Sequence, residues 1–279
     1  QPTPWPLAVM PSSQSPPADA GLRQRLYRRA KRAFQLLYDR QLSTGPLLAM
    51  ERYFPAHAEL ARLTPRLRQQ SRELLPHVET LPRFHELSST QGRFAYRDGR
   101  RWSVLPLRIY GVDLPQNQQR LPALIPFLRA HPEVTGAMVS CLESGKHIRP
   151  HRGPFRGILR YHLTLHCAEG DAGHDCRLRV ADRWIPYREG EALLWDDTYE
   201  HEVRNRTGGD RVALLLDVRR PEQPPALALL SAAVISGVGL YCRLSHRIRA
   251  DRLLPPCPPA PRPAPTPTPP TPRPPRSRR

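Results

Sequence analysis

Five short apolar segments separated by turns constrain the fold of this chain more than any other feature. They follow residue 131 and cover residues 136–142, 157–165, 176–180, 192–195 and 211–218. Turn-forming sequences that contain glycine connect them, and no segment with helical periodicity lies between them. Short strands without intervening helices are typical of antiparallel sandwiches and barrels. The sequence therefore predicts a mainly β domain, over residues 56–221, with flanking helices.

The segment before the strands predicts helices. In residues 21–55 apolar residues recur at helical spacing up to Leu37 while arginines fill the opposite face, as in a basic amphipathic helix. Such a helix either packs on the domain or lies on an anionic lipid surface. Residues 56–81 predict one or two further helices, broken at Pro65 and Pro76.

An apolar segment near the C-terminus, residues 226–250, leaves three interpretations open. Its uncharged part, residues 226–242, would be roughly 26 Å long as a helix, shorter than the ~30 Å hydrocarbon core of a bilayer. Arg243, Arg247 and Arg249 follow it. The pattern fits a transmembrane helix of marginal length, a shallow or re-entrant membrane anchor, and a buried C-terminal helix.

The charge of the chain predicts an anionic partner. The sequence has 43 basic and 25 acidic residues, a formal net charge of +18, and its only lysines are Lys31 and Lys146. Nucleic acid and an anionic membrane surface are the general alternatives for such a chain. Because the sequence has no zinc-finger spacing and no aromatic-plus-basic signature, we expect the membrane surface and no nucleic acid.

The ends of the chain and its cysteines bear on order and location. Residues 1–20 are rich in proline and serine and lack the long apolar core of a secretory signal. Residues 251–279 consist mostly of proline, threonine, serine and arginine, so both ends are predicted to be disordered. The five cysteines are scattered without a CxxC spacing, which favours a reducing, cytoplasmic compartment.

Two histidines and one arginine are the candidates for chemistry. His151 and His201 lie 50 residues apart, and Arg211 opens an apolar strand 10 residues later. Neutral imidazoles suit a borderline divalent metal such as iron(II). An arginine buried at the start of a strand needs an anionic partner, and the distal carboxylate of a dicarboxylate fits it. This order of residues on short strands is typical of double-stranded β-helix oxygenases, which have a jelly-roll, cupin-like fold.

Four blocks of sequence resemble the aspartyl/asparaginyl β-hydroxylase family, in the right order. They are GKHIRPHRGPF from Gly145, LRYHL from Leu159, EGEALLWDDTYEHEV from Glu189 and RVALLLDV from Arg211. The resemblance runs from about residue 101 to residue 221, and bacterial lipid A 2-hydroxylases belong to the same superfamily. It implies a double-stranded β-helix dioxygenase that uses iron(II), 2-oxoglutarate and O2 to hydroxylate an unactivated carbon.

The resemblance also implies roles for individual residues. His151 and His201 match the iron ligands at the catalytic centre. Arg211 matches the arginine that pairs with the side-chain carboxylate of 2-oxoglutarate. The other residues that match positions around the cosubstrate are Trp102, Ser140, Arg160, Tyr161 and His162.

Gly153 departs from the general oxygenase pattern, in which a carboxylate follows the first histidine by two residues. The animal aspartyl hydroxylases that the chain resembles also have glycine there, which implies a two-histidine site completed by water and 2-oxoglutarate. Asp196 or Asp197 is a further candidate for a third ligand, although its spacing before His201 is unusual.

Two substrate classes follow from the resemblance. Gly153 favours the peptidyl branch, so the first interpretation is hydroxylation of the β-carbon of aspartyl or asparaginyl residues, with Arg156 or Arg108 contributing to a basic pocket. The alternative is a membrane-associated lipid A acyl-chain 2-hydroxylase, which Phe155, the basic helix and the apolar segment favour. Because iron(II) and 2-oxoglutarate are cytosolic reagents, we expect a cytoplasmic protein that is peripheral to, or anchored at, a bacterial inner membrane.

Overall fold

The computed structural model describes residues 35–87, 98–168 and 175–244, together with residues 29, 32, 33 and 170. Helices flank the predicted β domain. They are α1 (residues 35–41), α2 (Met50–Tyr53), α3 (His57–Arg72), a 3-10 helix (Leu75–Thr80), α4 (Phe84–Leu87), α5 (Pro115–Gln118), α6 (Leu124–Ala130) and α7 (Pro225–Leu244). Both ends predicted to be disordered, residues 1–20 and 251–279, and much of the predicted basic helix lie outside the described residues.

Ten strands form two antiparallel sheets in the described part of the chain. They are β1 (Trp102–Ile109), β2 (Val112–Asp113), β3 (Val134–Leu142), β4 (His147–His151), β5 (Ile158–His166), β6 (Cys176–Val180), β7 (Arg183–Pro186), β8 (Ala192–Trp195), β9 (His201–Asn205) and β10 (Arg211–Arg219). The larger sheet has the strand order β2-β1-β3-β10-β5-β8, and the smaller sheet has the order β4-β9-β6-β7. The predicted fold class, a mainly β jelly roll with flanking helices, is confirmed.

Side-chain alternation gives the larger sheet two different faces. On the helix side, β5 and β10 contribute to one core with α3 and α6; the residues are Leu159, Tyr161, Leu163, Leu165, Val212, Leu214, Leu216 and Val218. Successive side chains of a strand point to opposite faces, so Arg160, His162 and Arg211 face the smaller sheet. A second core between the sheets includes Trp102 and Trp195. The candidate site residues therefore point into the space between the sheets.

The helix α3 continues through Pro65, so the predicted break there is wrong. A proline in a helix removes one N–H donor, and its ring crowds the preceding turn. The hydroxyl of the adjacent Thr64 donates to the carbonyl of Leu60 at 2.9 Å, and Leu60 and Leu67 are fully buried against the domain. Tertiary packing of this face offsets the local cost. The second predicted break is present, because α3 ends at Arg72 and Pro76 lies in the 3-10 helix.

A buried ionic network joins the helices to the strands. The carboxylate of Asp196, fully buried after β8, accepts hydrogen bonds from Arg156 Nε at 3.0 Å and from Arg220. Arg156 also donates to Asp39 of α1 and to the Thr44 carbonyl. Within this network the two guanidinium groups are balanced by two carboxylates. Through the Asp196 carboxylate and its two arginines, the network connects α1, the loop after β4 and the segment after β10.

We expect Asp196→Asn to lower the free energy of unfolding by about 3–5 kcal/mol, because the substitution leaves two buried guanidinium groups without their shared carboxylate. Urea unfolding followed by circular dichroism measures this change. Asp182→Asn, in the exposed turn between β6 and β7, is the matched control and should stay within about 0.5 kcal/mol of the parent protein. Equal losses in the two variants would contradict the assigned role of the network.

Candidate active site

A pocket opens between the two sheets. Its apolar lining comes from Phe84, Trp102, Met138, Ile148, Trp195, Val203 and Leu215. Its polar lining comes from Ser140, His151, Arg152, Arg160, His162, Asp197, His201 and Arg211. The structure thus brings together every predicted site residue except Tyr161.

A β-bulge aims the two candidate metal ligands at each other. Ile148 of β4 lies opposite Val203 of β9, but His151 lies opposite His201, so β4 carries one extra residue between the two pairs. The extra residue falls within Arg149-Pro150, and a bulge accommodates a proline because it needs no ladder donor there. Without the bulge Pro150 would oppose His201. With it, the two imidazole rings lie 4.0 Å apart, centroid to centroid.

Hydrogen bonds to the backbone select the tautomer of both histidines. His151 Nδ1 lies 2.7 Å from the carbonyl oxygen of Arg149, and His201 Nδ1 lies 2.9 Å from that of Tyr199. A carbonyl only accepts, so each Nδ1 carries the proton and each Nε2 carries the basic lone pair. Both lone pairs belong to rings that line the pocket.

Burial keeps both histidines neutral. It lowers the pKa of His151 to about 4, with a further contribution from the neighbouring His201. Burial likewise lowers the pKa of His201 to about 4. Neutral imidazole is the form that binds a metal, so the pair is ready for a divalent ion at neutral pH.

The carboxylate of Asp197 fills the space beside Gly153. A Cβ atom at position 153 would overlap this carboxylate. The Gly153 amide also donates to the Asp197 carbonyl at 2.7 Å, and Arg160 donates to the Asp197 carboxylate at 2.9 Å. Across the described ranges, no third His, Cys, Asp or Glu completes a metal-binding group with the two histidines. Asp196, the other candidate ligand, lies in the ionic network with Arg156 and Arg220 and does not line the pocket.

Arg211 differs from the other buried arginines. Arg108, Arg156 and Arg220 each pair with an aspartate. The Arg211 guanidinium instead lies 4.1 Å from the ring centroid of Tyr187, and its Nε has no hydrogen-bond partner among the described residues. The other buried nitrogen without a partner there is Trp195 Nε1, and Trp195 lines the same pocket. Two unsatisfied donors in one pocket, one of them on a guanidinium group, suit a ligand with acceptor atoms such as an anion.

Polar contacts hold the wall of the pocket around Arg211. Trp102 Nε1 donates to Ser140 Oγ at 2.9 Å, and the Trp102 ring stacks on Phe84 of α4 at 3.9 Å. His162 Nδ1 lies 2.8 Å from the hydroxyl of Tyr187. Burial, together with the nearby Arg211, holds the pKa of His162 well below its ordinary value, so this ring is neutral.

The structure places Arg160 and Tyr161 differently from each other. Arg160 lines the pocket, but its guanidinium binds Asp197 and Asp217. Burial alone would lower the pKa of Arg160, but the two carboxylates outweigh burial and raise it. Tyr161 points to the opposite face of β5, where its hydroxyl lies 2.9 Å from His57 Nδ1. Strand alternation therefore separates Tyr161 from the pocket.

The sequence-based prediction of the site did not include Phe84 and Trp195, which line the pocket, or Tyr187, which contacts two of the lining residues. Tyr187 follows β7 and supports both Arg211 and His162. Phe84 belongs to the four-residue helix α4, and Trp195 ends β8 with its ring 4.5 Å from that of His201. Trp195 lies in a resembling block of sequence, which could have pointed to it. Tyr187 reaches Arg211, and Phe84 reaches Trp102, through tertiary contacts that no local pattern signals.

The residues present fit a divalent metal and a dicarboxylate. Two neutral imidazoles provide nitrogen ligands on one wall. The buried Arg211, with an unsatisfied Nε, provides the cation for a carboxylate in the same pocket. The donor set therefore agrees with iron(II) and 2-oxoglutarate.

Comparisons with known proteins point to one family. A family profile described as aspartyl/asparaginyl beta-hydroxylase matches residues 62–221. An ornithine lipid ester-linked acyl 2-hydroxylase from Rhizobium tropici is 34% identical over 187 residues, which are 66% of this chain and 65% of that protein. Human aspartyl/asparaginyl beta-hydroxylase is 33% identical over 129 residues, which are 44% of this chain and 16% of that protein. The chain thus spans less than two thirds of either relative.

Among solved structures, a prolyl-4-hydroxylase from Pseudomonas putida aligns with 57% of this chain and 87% of its own. The TM-score is 0.36 and the sequence identity is 20%.

We expect Gly153→Ala to lower the free energy of unfolding by about 1–3 kcal/mol, because the added methyl group overlaps the Asp197 carboxylate. Asp197→Ala in the same molecule removes the overlap, so the double variant should lose less than the sum of the single variants, by roughly 1 kcal/mol. Denaturant unfolding measures the three variants. Gly208→Ala, at a position with no atom within 4 Å of the new Cβ, is the control. Additive losses would show that the two positions do not compete for space.

Proposed function

Because the chain belongs to the aspartyl/asparaginyl β-hydroxylase family, we propose that it is an iron(II)- and 2-oxoglutarate-dependent dioxygenase that hydroxylates an unactivated carbon. One observation carries the proposal. The pocket holds two neutral histidines that face each other, together with a buried arginine whose Nε has no partner among the described residues. This combination serves a metal and an anionic cosubstrate at the same time.

Each residue of the pocket has a distinct task in this proposal. His151 and His201 hold iron(II) through Nε2, and Arg211 binds the distal carboxylate of 2-oxoglutarate. When bound, these groups supply the oxidation of a C–H bond by O2. The stacked Trp102 and Phe84 exclude water from the cosubstrate side of the pocket.

The pairing of Arg160 with Asp197 and Asp217 leaves Arg160 positioned before any ligand binds. We assign to its guanidinium the 2-oxoglutarate end nearest the metal, as the family resemblance implies. His162, held neutral and hydrogen-bonded to Tyr187, contacts the same end without adding a charge. Asp197 has a second effect, because it prevents a side chain at position 153 from reaching the metal position.

The substrate that we propose first is the acyl chain of a membrane lipid. Over 66% of its length the chain is similar to a protein named as an ornithine lipid ester-linked acyl 2-hydroxylase. Apolar side chains, including Met138, Ile148, Val203 and Leu215, form part of the pocket lining. An acyl chain binds through such contacts without leaving polar groups unpaired. We accordingly place the protein at the cytoplasmic face of a bacterial inner membrane.

The second candidate substrate is the β-carbon of aspartyl or asparaginyl residues, the first interpretation of the sequence alone. Gly153 and the similarity to the human hydroxylase favour it. Of the two arginines proposed to bind a substrate carboxylate, however, Arg108 pairs with Asp113 and Arg156 pairs with Asp39 and Asp196. Neither lines the pocket. Arg152 does line the pocket, so we place the lipid first on the similarity to the ornithine lipid hydroxylase and on the apolar lining.

We expect the purified protein to convert 2-oxoglutarate to succinate when iron(II) and O2 are supplied, even without a prime substrate. His151→Ala should lose this turnover, and Arg211→Leu should raise the 2-oxoglutarate concentration for half-maximal rate by about tenfold or more. Succinate measured by mass spectrometry reports both effects. His147→Ala, on the same strand but outside the pocket, is the control. Equal turnover by His151→Ala and His147→Ala would refute the metal assignment.

We expect lipids from cells that produce the protein to carry acyl chains heavier by one oxygen atom, and the His201→Ala variant to produce none. Liquid chromatography with tandem mass spectrometry locates the oxygen on the chain. Proteolytic peptides from the same cells are searched for β-hydroxylated aspartate and asparagine. Hydroxylated peptides together with unchanged lipids would contradict the lipid substrate and support aspartyl or asparaginyl residues as the substrate.

A further inference from the structure

The helix α7 packs on the domain by one narrow stripe. Its buried residues are Leu227, Ser231, Ile235 and Gly239, which are spaced by four and so follow one side of the helix. Two of the four have small or polar side chains. The stripe covers a minor part of the helix circumference.

The opposite side of α7 is apolar and exposed. Leu229 is 74% exposed, Leu240 57% and Leu244 70%. The spacing of these residues places them on one face, which Ala226 and Ala233 extend. Between Pro225 and Cys242 the helix has no charged residue. A surface helix of a soluble domain normally has polar residues on this face, and an apolar patch instead marks an interface. We call this side the outer face of α7.

Contacts near both ends of α7 hold it along the domain. Near its start, the Tyr38 hydroxyl lies 2.7 Å from Ser231 Oγ, which donates to Gln223 Oε1 at 2.7 Å. Near its end, a Cβ atom on Gly239 would lie 2.5 Å from the carbonyl oxygen of Tyr110, so only glycine permits this close approach. The helix therefore follows the domain surface over most of its length.

These contacts distinguish between the interpretations left open by the sequence. A helix of 20 residues is about 30 Å long, so length alone would allow α7 to cross a bilayer. Crossing would detach the stripe from the domain and leave the Tyr38 and Ser231 hydroxyls without each other. We infer that α7 stays docked and lies in the plane of a lipid bilayer, with its outer face inserted into the apolar boundary of the membrane.

Charge on and after α7 fits an anionic bilayer. Arg243 lies at the exposed end of the helix, and Arg247, Arg249 and Arg252 follow in the sequence with Asp251 as the one acidic residue among them. Arginines next to an inserted helix bind the head groups of anionic lipids. The exposed Leu36 and Leu37 of α1 add apolar surface, because Tyr38 of α1 packs beside α7.

The outer face belongs to a helix that also contacts the loop between β4 and β5, just after the ligand His151. A Cβ atom on Gly157 would lie 2.5 Å from the Phe155 ring and 2.6 Å from Ser231 Oγ, so the loop after the ligand His151 abuts α7. A docked, in-plane α7 thus holds the catalytic pocket beside the membrane. This inference deepens, and rests on, the proposed hydroxylation of a lipid acyl chain.

Vesicle sedimentation of the full chain tests the inference. We expect binding to phosphatidylcholine vesicles that contain phosphatidylglycerol, and weaker binding at high salt. Leu229→Glu and Leu240→Glu should each reduce the partition coefficient by about tenfold or more. Leu75→Glu, which places the same charge at an exposed leucine outside α7, is the matched control and should bind as the parent protein does. Binding by the two α7 variants equal to that of the control would overturn the inference.

A depth measurement separates an in-plane helix from a spanning one. An environment-sensitive fluorophore is attached to a cysteine introduced at position 229, 236 or 244. Cys242 and Cys257 are replaced by serine, and the other three native cysteines are buried. A water-soluble quencher added outside the vesicles should reach the three positions to a similar extent. Protection of position 236, with a large difference between positions 229 and 244, would show a spanning helix and overturn the in-plane arrangement.

Two further readouts keep the inference separate from the proposed activity. Succinate formation without prime substrate should be the same in Leu229→Glu, Leu240→Glu and the parent protein. Absence of succinate in all three proteins would contradict the proposed hydroxylase activity but not the binding of α7 to the membrane. Light scattering gives the oligomeric state. If the outer face joins two copies, the α7 variants would become smaller and the parent protein would not sediment with vesicles.

Discussion

The bulge in β4 is the constraint on which the candidate site depends. Side chains alternate along a strand, so a shift of one residue turns a side chain to the opposite face. The extra residue between Ile148 and His151 reverses the phase of β4 and brings His151 opposite His201. The backbone carbonyl of Arg149, within the bulge, then accepts a hydrogen bond from His151 Nδ1–H. A single irregularity thus sets the position of the histidine, its tautomer and the direction of its lone pair.

The positions of the carboxylates distinguish the buried arginines with a structural role from Arg211, which we propose binds a ligand. Asp196 balances Arg156 and Arg220, and Asp113 balances Arg108, so these buried cations stabilise contacts between elements. Arg211 lies against the ring of Tyr187, and within the described chain no acidic side chain neutralises it. Burying a charge in this way is unfavourable unless an anion arrives. The same reasoning explains why His162, next to Arg211, must stay neutral.

Apolar patterning predicted the central strands and not the strands that carry the metal ligands. The five apolar segments correspond to β3, β5, β6, β8 and β10, whereas β4, β7 and β9 have polar sequences such as HIRPH and HEVRN. A strand whose inward side chains bind a ligand lacks the apolar alternation that identifies a strand. The resemblance to a family supplied His151 and His201 instead. The resemblance also assigned Tyr161 to the site. Tyr161 lies between Arg160 and His162 in the sequence, but its side chain points to the opposite face of β5.

The helix α7 shows why hydropathy left its role open. Hydropathy averages over the whole circumference, and for a helix that is apolar on all sides it does not distinguish a buried element from a membrane element. The contacts do, because the packed stripe includes the small residues Ser231 and Gly239 while the large side chains of Leu229, Leu240 and Leu244 point outward. The small residues allow a close approach to the domain, as Gly239 does to the Tyr110 carbonyl. Exposure of these large apolar side chains to water is unfavourable, and contact of the outer face with an apolar medium removes that exposure. Because α7 also contacts the loop between β4 and β5, insertion of its outer face holds that loop next to the lipid.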